Sequence, residues 1–198
     1  MKLLTLCALM LLTPVAVLAG LTPGDTAPEF TLTDTDGKEH NLQQYLQDGH
    51  VVVLEWFNPD CPFIKKHHAH AKTMNETYAA VQDGKVVWLA INSSAEGKQG
   101  YGLERNRKAR LEYEMPMPVL LDPSGEVGRK YGAKTTPHMF IITTDGKVEY
   151  NGAIDDNRSA DKLGQTNHVA QALHALLRDE AVPVSMTPPY GCSVKYAQ

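Results

Sequence analysis

The run Val51-Val52-Val53-Leu54-Glu55-Trp56-Phe57 is apolar on both faces apart from Glu55, a pattern expected of a strand buried in the middle of a sheet. It ends in the polar turn Asn58-Pro59-Asp60, and Cys61 then stands directly before Pro62 and a helix-forming stretch. That order puts one thiol at a strand-to-helix junction, where free N–H groups and partial positive charge favour thiolate over thiol. The competing reading is an inert cysteine buried as a small apolar residue. The turn followed by proline favours the reactive one.

The start of the chain sets the compartment. Lys2, the apolar run Leu3 to Leu12 and the small residues of Val17-Leu18-Ala19 read as a signal peptide over residues 1–19, cleaved before Gly20. Thr13-Pro14 interrupts the apolar run, which is short for a membrane anchor. Cleavage removes Cys7 and leaves Cys61 and Cys192, a pair suited to an oxidising periplasmic or secreted location. The formal net charge of −4 gives no basic footprint for nucleic acid. No further apolar run is long enough to span a membrane after cleavage.

Residues 20–180 read as one domain, and residues 181–198 as a proline-rich tail that carries Cys192 and lies extended over it. A hairpin is expected around Asp36-Gly37, joining Glu29–Thr33 to Glu39–Leu42. A helix should run from Pro62 to about Gln82, followed by a buried strand from Val86 to Ile91. Then come a charged helix (Tyr101–Glu114), a strand (Val119–Leu121) and a short helix (Ser124–Tyr131) closed by Gly132. Strands at His138–Thr143 and Lys147–Tyr150 flank Asp145-Gly146, and Asn167–Arg178 is an amphipathic helix. The alternation implies an α/β sheet covered on both faces.

This order, with a cysteine after the first central strand, resembles the thioredoxin fold. Within it the chain is similar to the redoxin group of peroxiredoxin-like and thiol-specific-antioxidant-like proteins. The resemblance rests on Trp56 to Phe63, Tyr131 to His138, Tyr150 to Asp156 and the tail Gly191-Cys192-Ser193-Val194-Lys195. It implies a central mixed sheet with helices on both faces, a cis peptide at Thr136-Pro137 against the reactive sulfur, and a buried acid, Glu55, as proton acceptor for the thiol.

Departures matter as much. Ile64 stands where a thioredoxin has its second cysteine, so Cys61 has no local partner. Asn58 occupies the position three before Cys61 where a peroxiredoxin has Thr or Ser, and Leu54 stands where that pattern has proline. Arg129 and Arg158 are the arginines considered for the thiolate. Cys192 is the distant partner: it resolves a Cys61 intermediate through a reversible Cys61–Cys192 disulfide, or it pins the tail in a permanent one, or it pairs between chains. Closing that loop of about 130 residues is worth on the order of 5 kcal/mol in the chain-entropy treatment.

The resulting expectation is an exported thiol-based oxidoreductase. Cys61, Cys192 and Glu55 carry the chemistry, and Thr136, Pro137, Asn58 and His138 position the substrate. Its partners are a protein thiol or disulfide, or a peroxide, and an external thiol reductant; no cofactor is implied. The alternative is a copper-binding or assembly factor using Cys61 with His67, His68, His70 or His138, although helical histidines of this kind are usually solvated. A purely structural disulfide domain is the third reading.

Overall fold

Strand β3 (Val51–Trp56) pairs in parallel with β4 (Val86–Asn92) on one side and antiparallel with β7 (Met139–Ile142) on the other. In this computed structural model, which describes residues 20–81 and 84–198, both neighbours of β3 are strands, as its largely apolar pattern leads one to expect. The expected signal peptide, residues 1–19, lies outside the described residues. No helix among the described residues is long and apolar enough to cross a membrane.

The hairpin strands β1 (Thr31–Asp34) and β2 (Glu39–Asn41) lead into α1 (Leu42–Gln47), a short helix that starts at Leu42, the residue expected to end the strand. Asn41 starts α1 by accepting the Gln44 N–H on its side chain. After β3 come α2 (Pro62–Lys65), a π turn (Lys66–His70), α3 (Thr73–Ala80) and β4. The chain continues through α4 (Leu103–Glu112), β5 (Val119–Leu121), α5 (Glu126–Tyr131), β6 (Thr135–Thr136), β7, β8 (Val148–Gly152), α6 (His168–Leu176) and β9 (Cys192–Ser193). The main sheet is mixed, in the order β2-β1-β5-β4-β3-β7-β8, and β6 pairs with β9 beside it.

The two-residue period of β3 divides the core. Val52, Leu54 and Trp56 join Leu89, Ile91, Leu42, Leu46, Val127 and Tyr131 in one layer, under α1 and α5. Val53 and Phe57 point into the other, with Cys61, Ile64, Met74, Trp88, Ala109, Val169 and Leu173, under α2, α3, α4 and α6. Each large apolar side chain buried this way contributes roughly 1.5–3 kcal/mol. Glu55, two residues from both Val53 and Phe57, therefore faces the layer that holds Cys61.

The single helix expected from Pro62 to Gln82 is broken. Lys66, His67 and His68 are consecutive and all buried: Lys66 and His67 share the Tyr190 hydroxyl, and His68 bonds Glu55. Over this stretch the chain widens into the π turn. Lys72, at φ 51, then restarts the helix as α3. The tail that carries Cys192 lies along the domain. Asn151 N–H donates to Ser185 O, Thr187 N–H to Asn151 O, Val194 N–H to Lys134 O and Ala95 N–H to Lys195 O, so it is bonded along its length.

Candidate active site

Cys61 is the N-cap residue of α2, in extended conformation (φ −78, ψ 125), with Pro62 opening the helix. The turn before it is built by Asn58. Its Oδ1 accepts the Asp60 N–H (2.9 Å), its backbone carbonyl accepts the Cys61 N–H (3.1 Å), and its Nδ2 donates to Ser94 Oγ and to Gln99 O. With both amide hydrogens used, Asn58 holds the cysteine loop and has no donor left for a substrate. Arg105 braces the same loop by donating to Asp60 Oδ1 (2.6 and 2.9 Å), and the Tyr113 hydroxyl donates to Pro59 O (2.7 Å). The arginine nearest this turn in the bonding pattern is thus Arg105. Arg129 is engaged elsewhere, with Ser124 O, Ala197 O and the Tyr196 ring.

Two groups meet the Cys61 sulfur. Its thiol donates to Thr136 O at 2.9 Å, and its Sγ lies 2.9 Å from Cys192 Sγ. The Thr136–Pro137 peptide is cis, and Thr136 stands opposite Cys192 in the antiparallel β6–β9 pair. A disulfide of about 2.05 Å needs the two sulfurs to approach by less than an ångström. Gly191 (φ 137) makes the approach possible, because a Cβ there would lie 2.1 Å from Thr136 O. The pair is asymmetric: Cys61 is fully buried and Cys192 half-buried. Burial, and after it the hydrogen bond to Cys61 and electrostatic repulsion from that neighbouring thiol group, push the Cys192 thiol up to about 12. The latter two causes vanish once Cys61 carries a neutral substituent.

Glu55 is fully buried beneath this loop and has two partners that the sequence reading missed. Trp88 Nε1 donates to Oε2 (3.0 Å), and Oε1 lies 2.7 Å from His68 Nε2. Asn75 Nδ2 donates to the carbonyls of Tyr113 and Glu114, which turns its Oδ1 toward His68 Nδ1 at 2.6 Å. His68 Nδ1 therefore carries a hydrogen, and one further proton lies between Nε2 and Oε1. Glu55 and His68 are thus joined by one hydrogen bond with a single proton in it. The available signal was the face: Glu55 points toward the helical stretch that holds His68.

The histidines are not gathered around Cys61. His67 bonds to the Tyr190 hydroxyl, and burial pushes it down to about 3, so it is neutral. His68 belongs to Glu55, and His70 is exposed. His138 is buried against Phe140 in the opposite core layer, accepts the Lys134 N–H on Nδ1 and bonds Asn151 Oδ1 through Nε2 (2.7 Å). Burial lowers it to about 4, leaving it uncharged. The solvated histidines expected from the sequence are thus buried at positions 67 and 68. Among the described residues no three His, Cys, Asp or Glu side chains form a group that could hold a metal ion.

The AhpC/TSA family profile matches residues 23–151, a range that contains Cys61, Glu55 and the cis-proline strand. The chain belongs to the AhpC/TSA family. It shares the thioredoxin-like fold of that group of thiol redox enzymes, and Cys192 lies beyond the matched range. This AhpC/TSA protein is 31% identical over 126 residues to the thiol-disulfide oxidoreductase ResA of Geobacillus thermodenitrificans, covering 64% of this chain and 66% of that relative. The chain thus spans about two thirds of that relative's length. It is 30% identical over 149 residues to ResA of Bacillus subtilis, covering 74% and 77%. An uncharacterized conserved protein from Geobacillus kaustophilus superposes with TM-score 0.80 at 31% identity, over 88% of this chain and 92% of that one. A hypothetical protein from Sinorhizobium meliloti gives 0.79 at 26% identity, over 90% and 97%.

Proposed function

We propose that this protein is an exported thiol-disulfide oxidoreductase working in the periplasm or outside the cell, with Cys61 as nucleophile and Cys192 as resolving thiol. The observation that carries the reading is the 2.9 Å approach of two sulfurs that lie 131 residues apart in the chain. In the first step the Cys61 thiolate attacks one sulfur of a disulfide partner; a mixed disulfide forms and the partner's other sulfur leaves as thiolate. Cys192 then gives up its proton, attacks Cys61 Sγ and releases the partner's second thiol. The protein is left with a Cys61–Cys192 disulfide, the partner is reduced by two electrons, and an external dithiol restores the starting state. Thr136 O and Pro137 flank the reacting sulfur, and the Glu55–His68 pair is the proton reservoir beneath it.

A peroxide in place of the disulfide would give a Cys61 sulfenic acid and an alcohol or water, and Cys192 would then close the same bond with loss of water. The disulfide is favoured as oxidant because Asn58 has no free donor for a peroxide oxygen, and because the relatives above bear the name thiol-disulfide oxidoreductase. Trapping tests this. Cys192→Ser protein mixed with a model protein disulfide should accumulate a mixed disulfide on Cys61, whereas Cys61→Ser protein should accumulate none. Sulfenic acid forming faster with hydroperoxide than mixed disulfide forms with protein would reverse the order of substrates. No modification of Cys61 by either would end the reading.

A further inference from the structure

Access to Cys61 is closed by the protein itself. The sulfur is fully buried, and the segment over it is the tail, with Cys192 opposite Thr136. Beyond Cys192 the tail is held by Tyr196, whose hydroxyl donates to Ala133 O (3.0 Å) and whose ring lies where a Cβ on Gly128 would collide. Before Cys192 it is held by Thr187, packed on Gly152 and bonded to the Ala153 N–H. Between these points Pro188 and Pro189 have no N–H and Gly191 has no side chain. In that stretch Tyr190 supplies the polar side-chain attachment.

The attachment is a buried cluster. Tyr190 Oη donates to Asp155 Oδ1 and accepts from His67 Nε2 (2.9 Å) and Lys66 Nζ (3.3 Å). Lys66 Nζ also lies 3.2 Å from Asp155 Oδ2 and donates to Asn157 O at 2.8 Å. Neutral His67 can only donate through Nε2 here, because the Tyr190 proton is committed to the carboxylate. The Tyr190 ring meets the edge of Phe63, two residues after Cys61, at 5.7 Å. Lys66 and His67 belong to the π turn that continues the Cys61 helix, so the cluster ties the tail directly to the element that carries the nucleophile.

We propose that Tyr190 is a specificity-determining residue: its clasp with Asp155, Lys66 and His67 holds the tail over Cys61, so that a protein-sized partner reaches the sulfur only when Gly191 and Cys192 lift off Thr136. Small reagents need a lesser opening and are less affected. The inference rests on Cys61 being the reacting sulfur, and it adds the gate that a bulky partner must pass.

The test is made in the Cys192→Ser background, which leaves Cys61 as the thiol read by peptide mapping. Labelling rates of Cys61 are measured with iodoacetamide and with a polyethylene-glycol maleimide, alongside the thermal midpoint. Tyr190→Phe should raise the bulky-reagent rate about tenfold, the equilibrium weight of one hydrogen bond to a charged group, and should raise the iodoacetamide rate much less. Asp155→Asn should move the ratio of the two rates in the same direction, and it carries the test if Tyr190→Phe does not fold. An unchanged ratio overturns the proposal, whether both rates stay put or both rise together with a lower thermal midpoint. A wild-type protein that closes no Cys61–Cys192 bond on oxidation overturns the functional reading separately, without moving this ratio.

Discussion

Glutamine and alanine at position 55 should have very different costs. In the native protein the Glu55 carboxyl meets Trp88 Nε1–H with one oxygen and His68 Nε2 with the other, all fully buried. Glu55→Gln can keep every bond: the amide oxygen accepts from Trp88, the amide N–H donates to His68 Nε2, and His68 still donates from Nδ1 to Asn75. One proton leaves the network and one donor, the second amide N–H, is left unpaired, so the cost should be about 1–2 kcal/mol. Glu55→Ala leaves Trp88 Nε1–H and His68 Nε2 without partners and opens a cavity the size of four heavy side-chain atoms, which together cost about 3–5 kcal/mol. Urea unfolding at neutral pH followed by tryptophan fluorescence measures both, since Trp56 and Trp88 are buried. Equal destabilisation by the two variants would refute the proton count, because it would mean that the network needs a charge rather than a set of matched hydrogen bonds. If Glu55 also serves as proton reservoir for the thiol, Glu55→Gln should slow resolution by Cys192 about tenfold or more while stability holds.

Two further outcomes follow from the geometry. Gly191→Ala should loosen the tail, because its Cβ would lie 2.1 Å from Thr136 O at a φ of 137; faster alkylation of Cys61 and a stability loss of about 1–3 kcal/mol are expected, checked by mass spectrometry and urea unfolding. His138, lowered to about 4 by burial from an ordinary value of 6.5, binds its proton less readily folded than unfolded. Its contribution is therefore complete above pH 6.5 and is lost as pH falls toward 4, up to about 3 kcal/mol. A His138→Gln variant should show a correspondingly flatter fall in unfolding free energy between pH 7 and 4.5, and an unchanged slope would contradict this.

The sheet was legible because β3 and β4 are apolar on both faces over most of their length, and the junction cysteine followed from the turn and Pro62 alone. The π turn was not, because nothing local announces that Lys66, His67 and His68 are all buried; their partners, Asp155, Tyr190 and Glu55, lie far off in the chain. Glu55 was visible as an anomaly in its strand, but its partner His68 was read as a solvated helical residue. Thr136 and Cys192 were each visible, yet their pairing in β6–β9 depends on two-residue strands too short to show a period. Tyr190 offered one available signal, a large aromatic in a proline-rich tail two residues before a cysteine.

The central claim is that Cys61 and Cys192 form one reversible redox pair. Peptide-mapped mass spectrometry of the wild-type protein, taken after one equivalent of oxidant and again after an external dithiol, tests it most directly. The account predicts a loss of two hydrogens located in a peptide joining Cys61 to Cys192 within one chain, then full return to two free thiols. A bond between chains, a stable oxidised Cys61 with Cys192 still free, or a Cys61–Cys192 bond that the dithiol leaves intact would contradict it.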